Sequence, residues 1–167
     1  MKRLSRAEAL VAIEVAGVGH PGCQACRLAR DGEPIVANEH ATAVLDRFAS
    51  RPGHVLVMLR RHEERIAALA WPEYEAMQRL AWEVSRAIEA ALAPVRIYVA
   101  ALGSTAPLAT SFPHVHLHVV PLYDGGEADR PANVFTWAHG ALVFEDDREE
   151  RALLAKLREA MPRTDRS

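Results

Sequence analysis

The spacing of apolar residues along the chain predicts one long amphipathic helix and a shorter helix near each end. Between Pro72 and Leu92, apolar side chains recur at steps of three and four residues, which places them on one helix face. Pro72 suits the first position of a helix, and Pro94 follows the last apolar position. The segments Leu4–Ala16 and Asp147–Met161 show the same helical spacing. We therefore predict three helices.

Short apolar and β-branched runs, separated by turn residues, predict the strands of a sheet. Arg51, Pro52 and Gly53 form a turn signal between two of these runs, whereas Gly103–Pro113 has no period and is predicted to be a loop. The five predicted strands span Pro34–Asn38, Ala41–Asp46, His54–Leu59, Val95–Leu102 and Val115–Val120. Together with the long helix they indicate an α+β domain, in which an antiparallel sheet of about five strands carries its main helix on one face.

Composition narrows the classes of partner. Half of the 167 residues are apolar and a quarter are charged, which is typical of a single globular domain and excludes a disordered chain. The 20 Lys and Arg residues nearly balance the 22 Asp and Glu residues, so the net charge is only −2. Such a chain has no long-range field to attract a nucleic acid polymer or an anionic membrane, and we expect neither as a partner.

The first residues and the cysteines favour a cytoplasmic protein. The start of the chain is basic, as in a signal peptide, but Glu8 and Glu14 interrupt the apolar stretch that should follow. No run approaches the roughly 20 apolar residues of a membrane span. The two cysteines, Cys23 and Cys26, are too few and too close for the disulfide framework of a secreted domain.

Three histidines stand at every second position of the last predicted strand. His114, His116 and His118 therefore project from one face of the sheet, and Val115 and Leu117 between them project from the other. Three neighbouring imidazoles on one face have to be satisfied by a metal, an anion or one another. The pattern suits either ligation of a transition metal or attack on phosphorus in a site that stabilises anions.

The cysteines have the spacing Cys-x-x-Cys in a segment rich in Gly and Pro, which we predict to be a turn. Cys23 and Cys26 offer half of a tetrahedral zinc site, and His62 and His114 are the natural residues to complete it. A thioredoxin-like redox pair is the competing interpretation, although it needs a βαβ context that the flanking sequence lacks. Unligated thiols are the third interpretation.

The segment Pro113–Pro121 resembles the histidine triad (HIT) motif, His-φ-His-φ-His-φ-φ, in which φ is apolar. The resemblance extends over roughly Cys23 to Tyr123, including the Pro52-Gly53-His54 turn, and is closest to zinc-containing bacterial-type HIT proteins. It implies a five-stranded antiparallel sheet with one long helix, commonly assembled as a homodimer. We predict a HIT-like domain over 23–123, an N-terminal helical extension over 1–22 and a C-terminal extension with a closing helix over 124–167.

The resemblance also implies roles for individual residues. His116 is expected to be the nucleophile that forms a nucleotidyl-histidine intermediate, and His118 to bond phosphate oxygens. His54 is expected to support the triad or to be only the first residue of its strand. Asp46 is expected to bind the ribose hydroxyls or to be a solvated carboxylate at a strand end, and Asn38 to line the same nucleoside pocket or to serve only as a turn residue. In zinc-containing relatives four residues hold a structural Zn²⁺, at positions that here are Cys23, Cys26, His62 and His114.

The loop before the triad departs from the family pattern. Gly103 stands where an Asn is expected, and Ala109 and Thr110 replace a Gly-Gln pair, so that only Ser111 keeps its type. Ser104, Thr110 and Ser111 are candidates for phosphate binding, and a plain polar loop is the alternative interpretation. The expected function is a nucleotidyl hydrolase or transferase acting on a nucleoside phosphate derivative. The altered loop motivates a non-catalytic nucleotide-binding module as the alternative, and a redox or catalytic-metal enzyme is a third hypothesis.

An aromatic residue C-terminal to the region of resemblance, Trp137, has two interpretations. Trp137 lies in an apolar segment that begins at Asn133, and its ring either caps a nucleobase or packs with Phe135 on the sheet. The sequence favours packing as the more common fate of such a residue.

Overall fold

The structure is a computed structural model that describes residues 1–17, 22–102 and 113–162. Strands and helices alternate irregularly along the chain, as expected for an α+β domain. The strands are β1 Lys2–Leu4, β2 Val36–Ala37, β3 Ala41–Leu45, β4 Val55–Leu59, β5 Arg96–Ala100, β6 His116–Leu122 and β7 Ala141–Val143. The helices are α1 Arg6–Gly17, α2 Gln24–Asp31, α3 Trp71–Leu92, α4 Pro131–Phe135 and α5 Asp147–Glu159, with 3-10 turns at Ile66–Ala68 and Glu127–Asp129.

Five of the strands form one antiparallel sheet in the order β2-β3-β4-β6-β5. The histidine strand β6 therefore lies inside the sheet, between β4 and β5. This arrangement confirms the predicted fold class of a five-stranded antiparallel sheet with one long helix. Among the described residues, no helix is both long enough and apolar enough to cross a membrane.

The long helix α3 covers one face of this sheet. Its apolar stripe includes Met77, Leu80 and Val84, which pack with the inward residues of β3, β4 and β6 in the main core. Val115 and Leu117 belong to that core, so the strand alternation turns the histidines to the opposite face. Pro72 stands in the first turn of α3, as predicted, and the helix begins one residue earlier, at Trp71.

Helix α2 covers part of the histidine face. Ala25 is fully buried against Val44, Leu56 and Met58 of the sheet. The prediction that Cys23 and Cys26 lie in a turn is therefore wrong, because Cys23 directly precedes α2 and Cys26 lies within it. The helix was missed because it has only eight residues, too few for a clear apolar period beside Gly22 and Gly32.

A second, two-stranded sheet joins the two ends of the chain. β1 pairs with β7 in antiparallel register, and an isolated bridge between Ala49 and Leu142 connects β7 to the turn before β4. The prediction of a helix from Leu4 is wrong at its start, because Lys2–Leu4 is a strand. Strands of three residues carry no readable alternation, so neither β1 nor β7 was predicted.

Gly140 permits this pairing. Its φ of +81° lies in the left-handed region, and a Cβ placed there would come 2.1 Å from the carbonyl oxygen of Leu4. Any side chain at this position would therefore push β1 away from β7.

Candidate active site

The register of β6 determines which groups each histidine of the triad meets. His116 lies opposite Met58 and His118 opposite Leu56, and His114 stands two residues before the strand. All three histidines are buried: His114 exposes 0% of its surface, His116 exposes 3% and His118 exposes 6%. Histidines buried to this degree need hydrogen-bonding or ligating partners, and the structure provides two different sets of them.

His114 belongs to a cluster of thiols and imidazoles. The Nδ1 atom of His114 lies 3.5 Å from the Sγ atoms of both Cys23 and Cys26. The Nδ1 atom of His62 lies 3.5 Å from Sγ of Cys26. All four donor atoms lie within 4.8 Å of one another, so the structure brings together the four residues predicted to bind zinc.

The cluster fits a tetrahedral zinc ion by distance and by donor type. Bonds of about 2.3 Å to sulfur and about 2.0 Å to nitrogen, at a tetrahedral angle, place sulfur and nitrogen roughly 3.5 Å apart. The observed separations have this value. The Nε2 atoms of the histidines face oxygen: that of His114 donates to the carbonyl of Leu59 at 2.7 Å, and that of His62 lies 3.5 Å from Oε1 of Glu64. Such partners leave Nδ1 free for the metal.

The redox interpretation of the cysteines receives less support. A thioredoxin-like pair needs a βαβ context. Here α2 follows α1, and the sheet is antiparallel. Burial raises the pKa of the Cys26 thiol, and the neighbouring thiol of Cys23 raises it further.

His116 and His118 belong instead to a chain of hydrogen-bonded imidazoles. The Nε2 atoms of His116 and His118 are 3.1 Å apart, and Nδ1 of His118 lies 3.0 Å from Nε2 of His54. The chain ends at Asp46, whose Oδ2 lies 3.1 Å from Nδ1 of His54. At the other end, Nδ1 of His116 lies 2.6 Å from the carbonyl oxygen of His114.

The partners of this chain specify where its protons lie. Because the carbonyl of His114 can only accept, Nδ1 of His116 carries the hydrogen and Nε2 carries a lone pair. The same logic makes His118 donate through Nε2 and accept at Nδ1 from His54. Nδ1 of His54 lies 3.2 Å from the backbone N–H of Ser50, which donates to it, and 3.1 Å from Oδ2 of Asp46, which accepts from it when His54 is protonated. His116 and His118 are neutral in this arrangement.

Burial of His118, His116 and His54 favours the neutral form of each imidazole. Loss of solvation lowers the pKa of His118 well below its usual value, and the neighbouring imidazoles add to the effect. Burial also lowers the pKa of His116, opposed by its bond to the carbonyl of His114. For His54, burial lowers the pKa and the charge of Asp46 opposes it.

The carboxylate of Asp46 is held by a local turn. Its Oδ1 accepts from the backbone N–H of Phe48 at 2.9 Å, and Oδ2 faces His54. Asp46 is partly exposed and, with His116 and His118, lines a cavity of about 800 Å³. The cavity continues past Phe48 to Trp137.

Asn38, Thr110 and Ser111 were also predicted to belong to the site. Asn38 does not line this cavity: its Oδ1 accepts from the backbone of His40 and Ala41, and its Nδ2 donates to the carbonyl of Ala76. This is the turn role that was its alternative interpretation, and its nucleoside role stays untested. Thr110 and Ser111 lie outside the described residues.

A family model decides the relationship of the chain to known proteins. The model of the HIT domain matches residues 29–125, more than half of the chain. The chain belongs to the HIT family. The expected resemblance is thereby confirmed, and the residues of the triad, His54 and Asp46 all lie within the matched HIT domain.

Relatives of known sequence and structure agree with membership of the HIT family. An uncharacterised HIT-like protein of Mycoplasma genitalium is 34% identical over 94 residues, which cover 56% of this chain and 65% of that relative. A Zn-bound histidine triad family protein of Mycobacterium smegmatis is 24% identical with a TM-score of 0.58, covering 83% of this chain and 97% of that one. A uridylyltransferase is 19% identical with a TM-score of 0.63, covering 93% of this chain and 50% of that one. At 24% and 19% sequence identity, the similarity to these two solved structures establishes a shared fold.

Glu64 was missed from the sequence, whereas Phe135 and Trp137 were named there as aromatics that pack on the sheet, with a nucleobase cap as the other interpretation of Trp137. Glu64 faces His62 in the thiol cluster, and it has a readable signal, since it stands two residues after that histidine. Phe135 packs edge-on against the ring of His118 at 5.8 Å between centroids, and Trp137 lines the cavity. Both aromatics lie after the HIT domain, and only tertiary structure brings them to the site.

Proposed function

We propose that this HIT protein is a nucleotidyl hydrolase or transferase whose nucleophile is His116. The observation that carries the proposal is the 2.6 Å contact between Nδ1 of His116 and the carbonyl oxygen of His114. This contact places the hydrogen on Nδ1 and leaves the lone pair on Nε2, beside the cavity that His116 lines. A neutral, oriented imidazole of this kind is a competent nucleophile toward phosphorus.

In the first step, Nε2 of His116 attacks the α-phosphorus of a nucleoside phosphate derivative. A nitrogen–phosphorus bond forms, and the bond from phosphorus to the leaving group breaks with its electron pair on the leaving group. The imidazole becomes cationic, and its Nδ1–H donates to the carbonyl of His114, which stabilises the charge. Attack also frees the Nε2–H of His118 from His116, so that it can donate to a phosphoryl oxygen.

In the second step, water or another acceptor attacks the same phosphorus. The nitrogen–phosphorus bond breaks, its electron pair returns to Nε2 of His116, and the proton of the acceptor leaves with solvent. Hydrolase and transferase activity share this intermediate and differ only in the acceptor. The ribose hydroxyls of the nucleotide donate to Asp46, whose carboxylate lines the same cavity.

The metal of the proposal is a structural Zn²⁺ held by Cys23, Cys26, His62 and His114. Bound there, it would cross-link α2 to the segment that follows β4 and to the segment that precedes β6, and four protein donors leave no open position for water. The spacing of the four donor atoms and the zinc of the M. smegmatis relative support this choice. No step of the reaction uses the metal.

Two further features belong to the proposal. The protein acts as a homodimer, which is supported by the position of β5 at an outer edge of the sheet, where Val95 and Val99 are exposed. It acts in the cytoplasm, which is supported by the reduced state of Cys23 and Cys26, since cysteines without a disulfide persist in a reducing compartment.

A turnover screen with a matched variant tests the proposed reaction. Wild type and His116→Ala are incubated with nucleoside phosphoramidates, dinucleoside polyphosphates, adenylyl sulfate and nucleotide sugars. We expect release of nucleoside monophosphate from at least one class by the wild type alone. Nucleotide binding without turnover that depends on His116 contradicts the proposal and favours the non-catalytic nucleotide-binding module.

A further inference from the structure

The turn that leads into β4 is tied to residues that follow the HIT domain. Ser50 is buried in this turn, and its hydroxyl donates to the carbonyl of Val134 at 2.8 Å. The guanidinium of Arg51 donates to Oδ1 of Asp129 at 2.8 Å and to the carbonyl of Ala128. The matched domain ends at residue 125, so all three partners lie in the C-terminal part of the chain. That part therefore helps to hold the turn in place.

Arg51 and Asp129 form a buried ion pair, with only 11% and 5% of their side chains exposed. Oδ2 of Asp129 accepts from the backbone N–H groups of Asp124 at 3.2 Å and Gly125 at 3.0 Å. Burial raises the pKa of Asp129, but the bonds from Arg51 and from the backbone lower it below its usual value, so the carboxylate is charged. A further N–H group of Arg51 donates to the carbonyl of Ser50 at 2.7 Å. The ion pair therefore anchors the backbone of Ser50.

Ser50 in turn bonds to the ring of His54. Its backbone N–H donates to Nδ1 of His54 at 3.2 Å, and Oδ2 of Asp46 lies 3.1 Å from the same nitrogen. These two neighbours require opposite states of Nδ1, because an N–H group donates to a lone pair whereas a carboxylate accepts from a hydrogen. The position of the Ser50 N–H group therefore decides which state Nδ1 adopts.

The state of Nδ1 sets the direction of the whole imidazole chain. With a lone pair on Nδ1, the neutral ring of His54 carries its hydrogen on Nε2 and donates it to Nδ1 of His118, 3.0 Å away. His118 then donates through its own Nε2 toward His116. With a hydrogen on Nδ1 instead, the neutral ring of His54 has a lone pair on Nε2, and His118 has to donate through Nδ1. Its Nε2 then lacks the hydrogen that the proposed reaction presents to a phosphoryl oxygen.

We infer that Arg51 and Asp129 are positioning residues, which act through Ser50 to keep the hydrogen of His54 on Nε2 and so orient the chain toward His116; this inference rests on the proposed function. Neither residue lines the cavity beside the triad. A catalytic imidazole held in the wrong tautomer loses rate even where the geometry of the site is intact. The pair should therefore affect kcat more than KM.

The position of the hydrogen on His54 is measured directly by long-range proton–nitrogen correlation NMR. The full-length protein, labelled with isotope in its histidines, is purified without chelator. The chain has eight histidines, and the signals of His54 are those that disappear in His54→Gln. We expect the wild type to show a hydrogen on Nε2 of His54 and a lone pair on Nδ1.

Two variants remove the ion pair in different ways. Asp129→Ala takes away the carboxylate that holds Arg51. Arg51→Met/Asp129→Leu removes both charges at once, and such apolar replacement of a buried ion pair commonly preserves folding. A folding failure of the single variant therefore does not decide the result. Glu127→Gln is the matched control, because Glu127 is an exposed carboxylate on the same 3-10 turn that pairs with Arg130 at the surface.

We expect the hydrogen of His54 to move from Nε2 to Nδ1 in most molecules of both variants. In a turnover assay kcat should fall by about tenfold or more while KM stays within about twofold, since the chain is misdirected but the cavity is intact. Glu127→Gln should keep the nitrogen signals of His54 and the kcat of the wild type.

The outcomes separate this inference from the proposed reaction. Wild-type nitrogen signals of His54 in the folded double variant overturn the inference, whatever the activity. Wild-type kcat in a variant whose hydrogen has moved to Nδ1 also overturns it. A moved hydrogen in both variants, together with a wild-type protein that turns over none of the substrates, supports the positioning of His54 and contradicts the proposed reaction.

Discussion

His114 and His116 stand two residues apart on one side of the histidine strand, yet they meet different chemistry. His114 faces two thiols and a second imidazole, all within reach of a single tetrahedral ion. His116 faces another imidazole in a chain that ends at the carboxylate of Asp46. Residue type is the same in both regions, so the partners distinguish the histidine that we propose to hold a metal from the one that we propose to meet a substrate.

The orientation of each ring shows how that division works. His114 donates through Nε2 and turns Nδ1 toward the thiols, whereas His116 donates through Nδ1 and keeps the lone pair on Nε2. In each case a backbone carbonyl, that of Leu59 or that of His114, selects the nitrogen that carries the lone pair. The account therefore predicts that variants of the two regions have opposite profiles in activity and stability.

The largest expected effect is the loss of activity in His116→Asn. Removal of the nucleophile should lower kcat/KM by at least about a thousandfold, because the covalent route is lost. Metal content and melting temperature should stay near those of the wild type, since His116 is not among the four clustered donors. The matched variant His114→Ala should instead lose both metal and stability. Metal analysis, calorimetry and a turnover assay on the two variants check the contrast, which fails if both show one profile.

The next effect is on stability. Cys26→Ser should lose the bound zinc and lower the free energy of unfolding by on the order of several kcal/mol, because a structural metal contributes directly to folding. Chelation of the wild type should lower its melting temperature in the same way, while the molecules that remain folded keep their activity. Zinc content of protein purified without chelator is the primary measurement. Wild-type stability in a metal-free Cys26→Ser protein would contradict a structural metal.

A smaller effect concerns the far end of the imidazole chain. Asp46→Asn should weaken nucleotide binding by roughly 1.5 to 3 kcal/mol, the value of a hydrogen bond to a charged group. It should also remove the preference for a ribonucleotide over its 2′-deoxy form. Asp147→Asn, a change of an exposed carboxylate at the same cavity, is the matched control and should preserve that preference. Calorimetric titration with AMP and dAMP gives both numbers, and equal affinity of the wild type for the two would refute the role of Asp46.

The smallest effect is on the pH dependence of stability. Burial holds the pKa of His54 and His118 below its usual value, which is near 6.5 in the unfolded chain. The unfolded chain therefore binds more protons below about pH 6.5, and the free energy of unfolding falls as the pH falls. His118→Gln should make this fall shallower between about pH 7 and 5.5, whereas His139→Gln, at an exposed position, should not. Denaturant titrations at several pH values measure the slopes, and identical slopes in all three proteins would exclude the mechanism.

Much of the domain follows from local patterns in the sequence. The period of three to four residues from Met77 to Ile88 identifies α3, and the alternation of His and apolar residues identifies the two faces of β6. The grouping of the thiols with His62 and His114 was also predicted, because Cys-x-x-Cys needs two further ligands for a tetrahedral ion.

What the sequence did not reveal depends on contacts between distant residues. β1 and β7 have three residues each, and their pairing stabilises them more than any preference of their own. The contact between Asp46 and His54 depends on the Asx turn of Asp46, and the approach of Trp137 to the cavity depends on the docking of both chain ends. A sequence pattern identifies the residue types in these cases, but their meeting is a property of the folded chain.

The most direct test of the division between the two histidines is to locate the nucleotidyl group on the wild-type protein. Turnover is quenched with a substrate labelled at the α-phosphate, the protein is digested under basic conditions that preserve nitrogen–phosphorus bonds, and the labelled peptide is sequenced by mass spectrometry. The account predicts one labelled residue, His116, with zinc retained in the labelled protein. A label on His114, His118 or His54, or a wild-type enzyme that turns over without any label, would contradict it.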